Sequence, residues 1–136
     1  MIINAQDTIL GRLASYVAKK ALLGENVEIV NCEKAVITGG KKNILEKYKA
    51  RVKRGNPFKG PYFPRRADMI VRRAIRGMLP RKKARGRDAY KNIKCYLGIP
   101  ENLKNETFIT LEEVNINKVK PLKFIYLNEI SKMFGR

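Results

Sequence analysis

The sequence predicts an α/β fold: a single domain with a mainly parallel four-stranded sheet flanked by helices, plus basic loops and a C-terminal tail. Three observations predict it. The chain has 136 residues, 44% of them hydrophobic, which suits one compact core rather than two. Its opening reads strand, helix, strand over about 30 residues, the unit that makes a parallel pair with a right-handed crossover. Beyond it, short apolar runs go on alternating with amphipathic helical stretches, and strands separated by helices build layered α/β architectures. The expected division is an α/β core at 1–98 carrying a basic insert at 41–92, then a tail at 99–136.

Met1 to Asn4 is a short apolar strand. Asp7 or Thr8 is expected to cap the next helix, because their side-chain oxygens accept unpaired backbone N–H groups. From there Leu10, Leu13, Ala14, Val17 and Ala21 recur at helical spacing, and Gly24 is placed to end the helix. Val27 to Cys32 reads as a second strand and Ala35 to Thr38 as a third, broken by Gly39-Gly40. Residues 41–52 are expected to be helical, with Ile44, Leu45 and Tyr48 on one side. Gly55, Pro57, Gly60, Pro61 and Pro64 make residues 53–65 a loop. In residues 66–79, Ala67, Ile70, Val71, Ala74, Ile75 and Met78 follow the spacing of a core-facing helix, and Pro80 stops it. Residues 81–87 read as a charged loop, followed by a short helix near 86–92 and a strand from Ile93 to Leu97 that Gly98-Ile99-Pro100 ends. In the tail, Phe108 to Leu111 and Phe124 to Leu127 have strand character. Asn128 is placed to cap a last helix carrying Ile130, Met133 and Phe134.

Thirty Lys and Arg stand against twelve Asp and Glu, a net charge of +18. Residues 41–94 hold twenty of the basic residues and only three acidic ones, Glu46, Asp68 and Asp88, while both flanks are close to neutral. A solvated surface normally mixes both signs, so a one-sided block reads as the footprint of a polyanion. The chain has no His, which removes the commonest general base and metal ligand. Cys32 and Cys95 lie far apart in apolar contexts and are expected as reduced core thiols. No paired carboxylates stand out, and Ser15 and Ser131 have no base nearby in sequence. No catalytic residue, metal, cofactor or small-molecule substrate is expected. No apolar run approaches the ~18 residues of a spanning helix, and the opening residues lack a signal-peptide layout. The expected setting is cytoplasmic, without a membrane.

Four constellations concentrate the charge. Thr38-Gly39-Gly40-Lys41-Lys42 joins a strand to a helix, where glycine backbone and a helix N-terminus suit a phosphate. A nucleotide-binding loop would be longer and end in Lys-Ser or Lys-Thr, whereas Asn43 follows Lys42. The loop interleaves Phe58, Tyr62 and Phe63 with Lys53, Arg54, Lys59, Arg65 and Arg66. Its cations are expected on phosphates. Its aromatics either stack on unpaired bases or pack the loop onto the domain. The next helix presents Arg65, Arg66, Arg72, Arg73 and Arg76 opposite its apolar face. Arg81, Lys82, Lys83, Arg85 and Arg87 add a cationic turn, and Arg51 and Lys94 extend the set. Charge alone does not separate RNA from DNA.

The segments Ile75-Arg76-Gly77-Met78-Leu79-Pro80, Gly86-Arg87 and Ile93-Lys94-Cys95-Tyr96-Leu97-Gly98 resemble the signature of the universal large-subunit ribosomal protein thirteen family. Leu10-Gly11-Arg12-Leu13-Ala14-Ser15, Asn31-Cys32-Glu33-Lys34 and Thr38-Gly39-Gly40-Lys41-Lys42 are similar to it as well. Leu97-Gly98-Ile99-Pro100-Glu101 and the tail resemble the archaeal and eukaryotic branch, and the shortness of the chain favours the archaeal one. The resemblance implies binding to large-subunit ribosomal RNA during assembly, neighbouring ribosomal proteins as further partners, and no catalysis. Lys41, Lys42, Arg76, Arg87 and Lys94 fall in matched segments. Gly77 and Gly86 are expected to be residues that shape the backbone.

Overall fold

The buried face of Leu10, Leu13, Ala14, Val17, Ala18 and Ala21 organises the first unit of the computed structural model, which describes residues 1–135. Strand β1 (Ile2–Asn4) leads into helix α1 (Leu10–Leu22), which returns the chain to β2 (Val27–Val30) alongside β1 in parallel, Ile3 opposite Ile29. Gly24, at φ +91°, ends α1: its N–H reaches Ala21 O at 3.1 Å and the Glu25 N–H reaches Lys20 O at 3.3 Å, the paired bonds of a left-handed helix stop. The other end differs from expectation. The N-cap is Ile9, without a side-chain cap. Thr8 is fully buried and donates to Ala5 O at 2.7 Å, while Asp7 accepts from the Tyr126 hydroxyl at 2.9 Å. Both candidate caps are occupied elsewhere, Asp7 by a distant residue and Thr8 by the Ala5 carbonyl three residues back, so neither caps the helix.

Strand β3 (Val36–Thr38) leads into α2 (Lys41–Lys53), and after the loop come α3 (Ala67–Met78), α4 (Ala84–Lys91) and β4 (Ile93–Cys95). The last third supplies β5 (Ile109–Thr110), α5 (Ile116–Val119), β6 (Phe124–Tyr126) and α6 (Leu127–Phe134). The main sheet is four-stranded and parallel, in the order β4-β2-β1-β5. Fold class and strand number are as the sequence predicts, but the membership differs. β3 pairs antiparallel with β6, Ile37 opposite Ile125, in a separate two-stranded sheet. A parallel neighbour needs a crossover of a dozen residues or more. Between β2 and β3 there is only a left-handed Asn31 (φ 55°) and a 3-10 turn at Cys32–Lys34. The residues after 98 fill the vacant edge with β5.

That segment also completes the core. Leu127 and Ile130 of α6 and Ile125 of β6 are buried with Ile3, Leu13, Ile29, Ile75 and Ile93. Asn128 lies inside the first turn of α6, whose N-cap is Tyr126. In α3, Ala67, Ile70, Val71 and Ile75 are buried against α1, β4 and α6, as their spacing requires. Met78, at the end of α3, is 45% exposed. Pro80 follows the helix stop, and α4 begins two residues earlier than expected, so Arg85 and Arg87 are helical. Gly86 is buried, and glycine is required there because a Cβ would lie 2.2 Å from Pro80 O. Gly77 has no such constraint: nothing lies within 4 Å of its Cβ position.

Cys32 is buried and Cys95 half-buried, both as free thiols. The β2–β4 pairing brings them together, with the Cys32 N–H on Tyr96 O at 3.2 Å. A hydrogen bond with the Cys95 thiol, and then burial, push the Cys32 thiol well above the usual range. Among the described residues no helix is long and apolar enough to cross a membrane, and no group of residues is arranged to hold a metal ion.

Candidate nucleic-acid interface

Glycine and asparagine chemistry turns the loop between α2 and α3 into a rigid display. Gly55 has φ +92°, and a Cβ there would fall 2.3 Å from Gly60 O. Asn56 closes a ring: its N–H donates to Gly60 O at 3.1 Å, and its carbonyl accepts from Gly60 at 2.8 Å and Lys59 at 3.2 Å. Its side chain accepts from the Phe58 N–H at 2.9 Å. The Tyr62 hydroxyl donates to Pro57 O at 3.0 Å. All of these bonds are made within the loop itself, and bonds of that kind reduce the conformational entropy lost on binding.

The three aromatics separate into different roles. Phe58 is 90% exposed at the loop tip, and Tyr62 is 70% exposed. Phe63 is half-buried, edge-on to Tyr48 with ring centroids 5.8 Å apart. Arg51 and Arg73 both lie over the Phe63 ring, at 5.6 and 4.9 Å. Phe63 therefore packs the loop to the domain and steadies two cations, while Phe58 and Tyr62 keep free faces. Burial pushes the Tyr48 phenol up, and Arg51 beside it acts the other way.

The cations fall on five consecutive elements. Lys41, Lys42, Arg51 and Lys53 are on α2, and Arg54, Lys59, Arg65 and Arg66 on the loop. Arg72, Arg73 and Arg76 lie on α3, Arg81, Lys82 and Lys83 before α4, and Arg85 and Arg87 on it. Lys94 is separate, on the edge strand β4. Arg65 and Arg66 precede α3 rather than extending its outer face. Three of these cations meet a carboxylate among the described residues: Lys41 with Glu129 at 2.8 Å, Arg66 with Asp68 at 2.9 Å, and Lys94 with Glu28 at 3.9 Å. The rest have no carboxylate partner there, so their charge is available to a ligand. Arg72 is the least available, with its guanidinium 4.6 Å over Tyr90 and its Nε buried without a partner. The Gly39-Gly40 turn has a structural reason too. Gly39, at φ +128°, donates to Lys123 O at 2.9 Å, and its Cβ position lies 3.5 Å from Ile44 Cδ1.

Lys132 of α6 was not legible as a site residue, because it sits in a sequence region of balanced charge. The fold carries it to the loop: it lines a cleft with Lys53, Arg54, Arg65, Arg66 and Tyr62.

The family model described as Ribosomal protein L13 matches residues 1–102. The large ribosomal subunit protein uL13 of Archaeoglobus fulgidus is 47% identical over 98% of this chain and 86% of its own length. That of Methanosarcina barkeri is 47% identical over 98% and 96%. That of Haloarcula marismortui is 46% identical over 99% and 90%.

Proposed function

The chain belongs to the ribosomal protein L13 family, of the archaeal type, and on that premise we propose that it binds and stabilises large-subunit ribosomal RNA during assembly of the subunit. The family is structural, and the chain is not an enzyme. Its place is that of a constituent of the large subunit, beside RNA and neighbouring ribosomal proteins. Residues 41–92 act in this reading as the RNA-binding insert of a core that spans 1–98. The observation that carries the proposal is the run of cations from α2 to α4, most without a carboxylate partner among the described residues. Unpaired Arg and Lys on preorganised backbone neutralise phosphates and release counterions. RNA helices expose mainly backbone and the shallow groove, so recognition rests on shape and phosphate position.

Sedimentation of the native protein through a sucrose gradient at moderate salt tests this. The protein travels with the large subunit, and a protein that stays at the top of the gradient refutes the assignment. Competition between large-subunit RNA fragments and duplex DNA separates this reading from an architectural DNA-binding protein. RNA wins, and equal binding at physiological salt counts against it.

A further inference from the structure

Where the end of α2, the loop and the end of α6 meet, they enclose a half-open cleft of about 1150 Å³. Its wall carries Lys53, Arg54, Arg65, Arg66 and Lys132, and among the described residues no acidic side chain lines it. Two of these cations have a helical explanation. Lys53 and Lys132 lie in the last turns of α2 and α6, where a cation offsets the negative end of the helix dipole. Arg54 and Arg65 have none, and neither meets a carboxylate among the described residues. Cations converging on one cleft from three elements need an extended anion rather than a point charge. The apolar part of the wall selects further. Tyr62 presents a ring that is 70% exposed yet held by its hydroxyl bond to Pro57 O. An exposed flat ring beside phosphate-binding cations is the pairing that holds single-stranded nucleic acid, because stacking requires a base outside a duplex.

We propose that this cleft holds a short unpaired stretch of RNA, with phosphates on Lys53, Arg54, Arg65 and Lys132 and a base stacked on Tyr62. This rests on the reading of the chain as an RNA-binding protein and assigns α6, outside the basic block, a direct part in it.

The test uses the full chain and a labelled single-stranded hexaribonucleotide, read by fluorescence anisotropy, beside a labelled RNA duplex. Tyr62→Leu weakens the single strand by about tenfold, the order of one lost base stack, and leaves the duplex unchanged. Lys132→Ala weakens the single strand several-fold and, being exposed, reports on the cleft even if Tyr62→Leu disturbs the loop. Wild-type affinity of both variants for the single strand, or an equal loss on the duplex, overturns the cleft. If the variants keep single-strand affinity while the wild type binds large-subunit RNA, only the cleft is lost. If the wild type binds no large-subunit RNA, the broader reading fails with it.

Discussion

Replacing Gly86 and Gly77 by alanine, one at a time, moves stability in opposite directions although both lie in segments of the same family signature. At Gly86 the new Cβ would lie 2.2 Å from Pro80 O and 2.5 Å from Pro80 C. Both are backbone atoms, and that carbonyl already accepts the Lys83 N–H at 2.9 Å. Relief therefore needs α4 or the 80–83 turn to shift by about an ångström, and overpacking of this kind costs about 1–3 kcal/mol. The absence of any side-chain escape puts Gly86→Ala near the upper end. At Gly77 nothing stands within 4 Å of the new methyl, and the residue is helical. Alanine there restricts the unfolded chain and adds helix propensity, a gain of about 0.5–1 kcal/mol. Urea unfolding followed by circular dichroism at moderate salt reads both. With a urea slope of ~2 kcal/mol/M, Gly77→Ala raises the midpoint by about 0.3 M and Gly86→Ala lowers it by about 1 M. A Gly86→Ala protein as stable as wild type, or a Gly77→Ala protein destabilised by more than ~1 kcal/mol, refutes the geometric reasoning.

The aromatics divide the same way. Phe58→Ala leaves unfolding within ~0.5 kcal/mol of wild type because its ring is 90% exposed, yet weakens binding to large-subunit RNA. Phe63→Ala removes the contacts to Tyr48, Arg51 and Arg73 and costs roughly 2 kcal/mol, about half the value of a fully buried Phe; equal effects of the two on stability would contradict the assignment. If eight cations each neutralise a phosphate, the log–log dependence of RNA affinity on salt has a slope of about −6 to −7, and titration over a range of salt concentrations that returns a slope nearer −2 rejects so broad a footprint. In the folded protein Cys32 resists alkylation at mildly alkaline pH, as mass mapping of the modified thiols checks, because its thiolate is suppressed by the Cys95 hydrogen bond and by burial. Its folded pKa is raised, so its contribution to stability is intact below the ordinary thiol value of 9.0 and declines as pH rises above it. Cys32→Ala makes that decline shallower, measured as thermal midpoint against pH.

The α/β class, the strand–helix–strand opening and the core face of α3 were legible because each is a local periodicity. Leu10 to Ala21 and Ala67 to Ile75 carry the helical spacing on their own residues. What escaped was decided by contacts distant in sequence. Asp7 has the side chain of a cap, but Tyr126, over a hundred positions later, takes its carboxylate. The strand character of Phe108 to Leu111 was legible, but the place of Ile109–Thr110 beside β1, at the edge of the main sheet, was not. The basic block was legible as charge, since composition is additive along the chain. Which cations are spent on Glu28, Asp68 or Glu129 is not, because two of those three carboxylates lie outside the block.

That dependence on distant partners explains why the last third of the chain matters to the interface. Net charge of one sign strains a compact chain, and here Arg51 and Arg73 share a single aromatic ring with no carboxylate partner among the described residues. Such an arrangement persists only on a scaffold that over-determines it. The scaffold is the Asn56 ring within the loop, the buried face of α3, and α6 with Leu127 and Ile130 fixed in the core. The same helix places Lys132 at the cleft and ties the start of α2 through Glu129 to Lys41. The near-neutral segment after residue 98 thus acts on the basic one by holding its like charges at fixed positions, which is what a repeating line of phosphates requires of its partner.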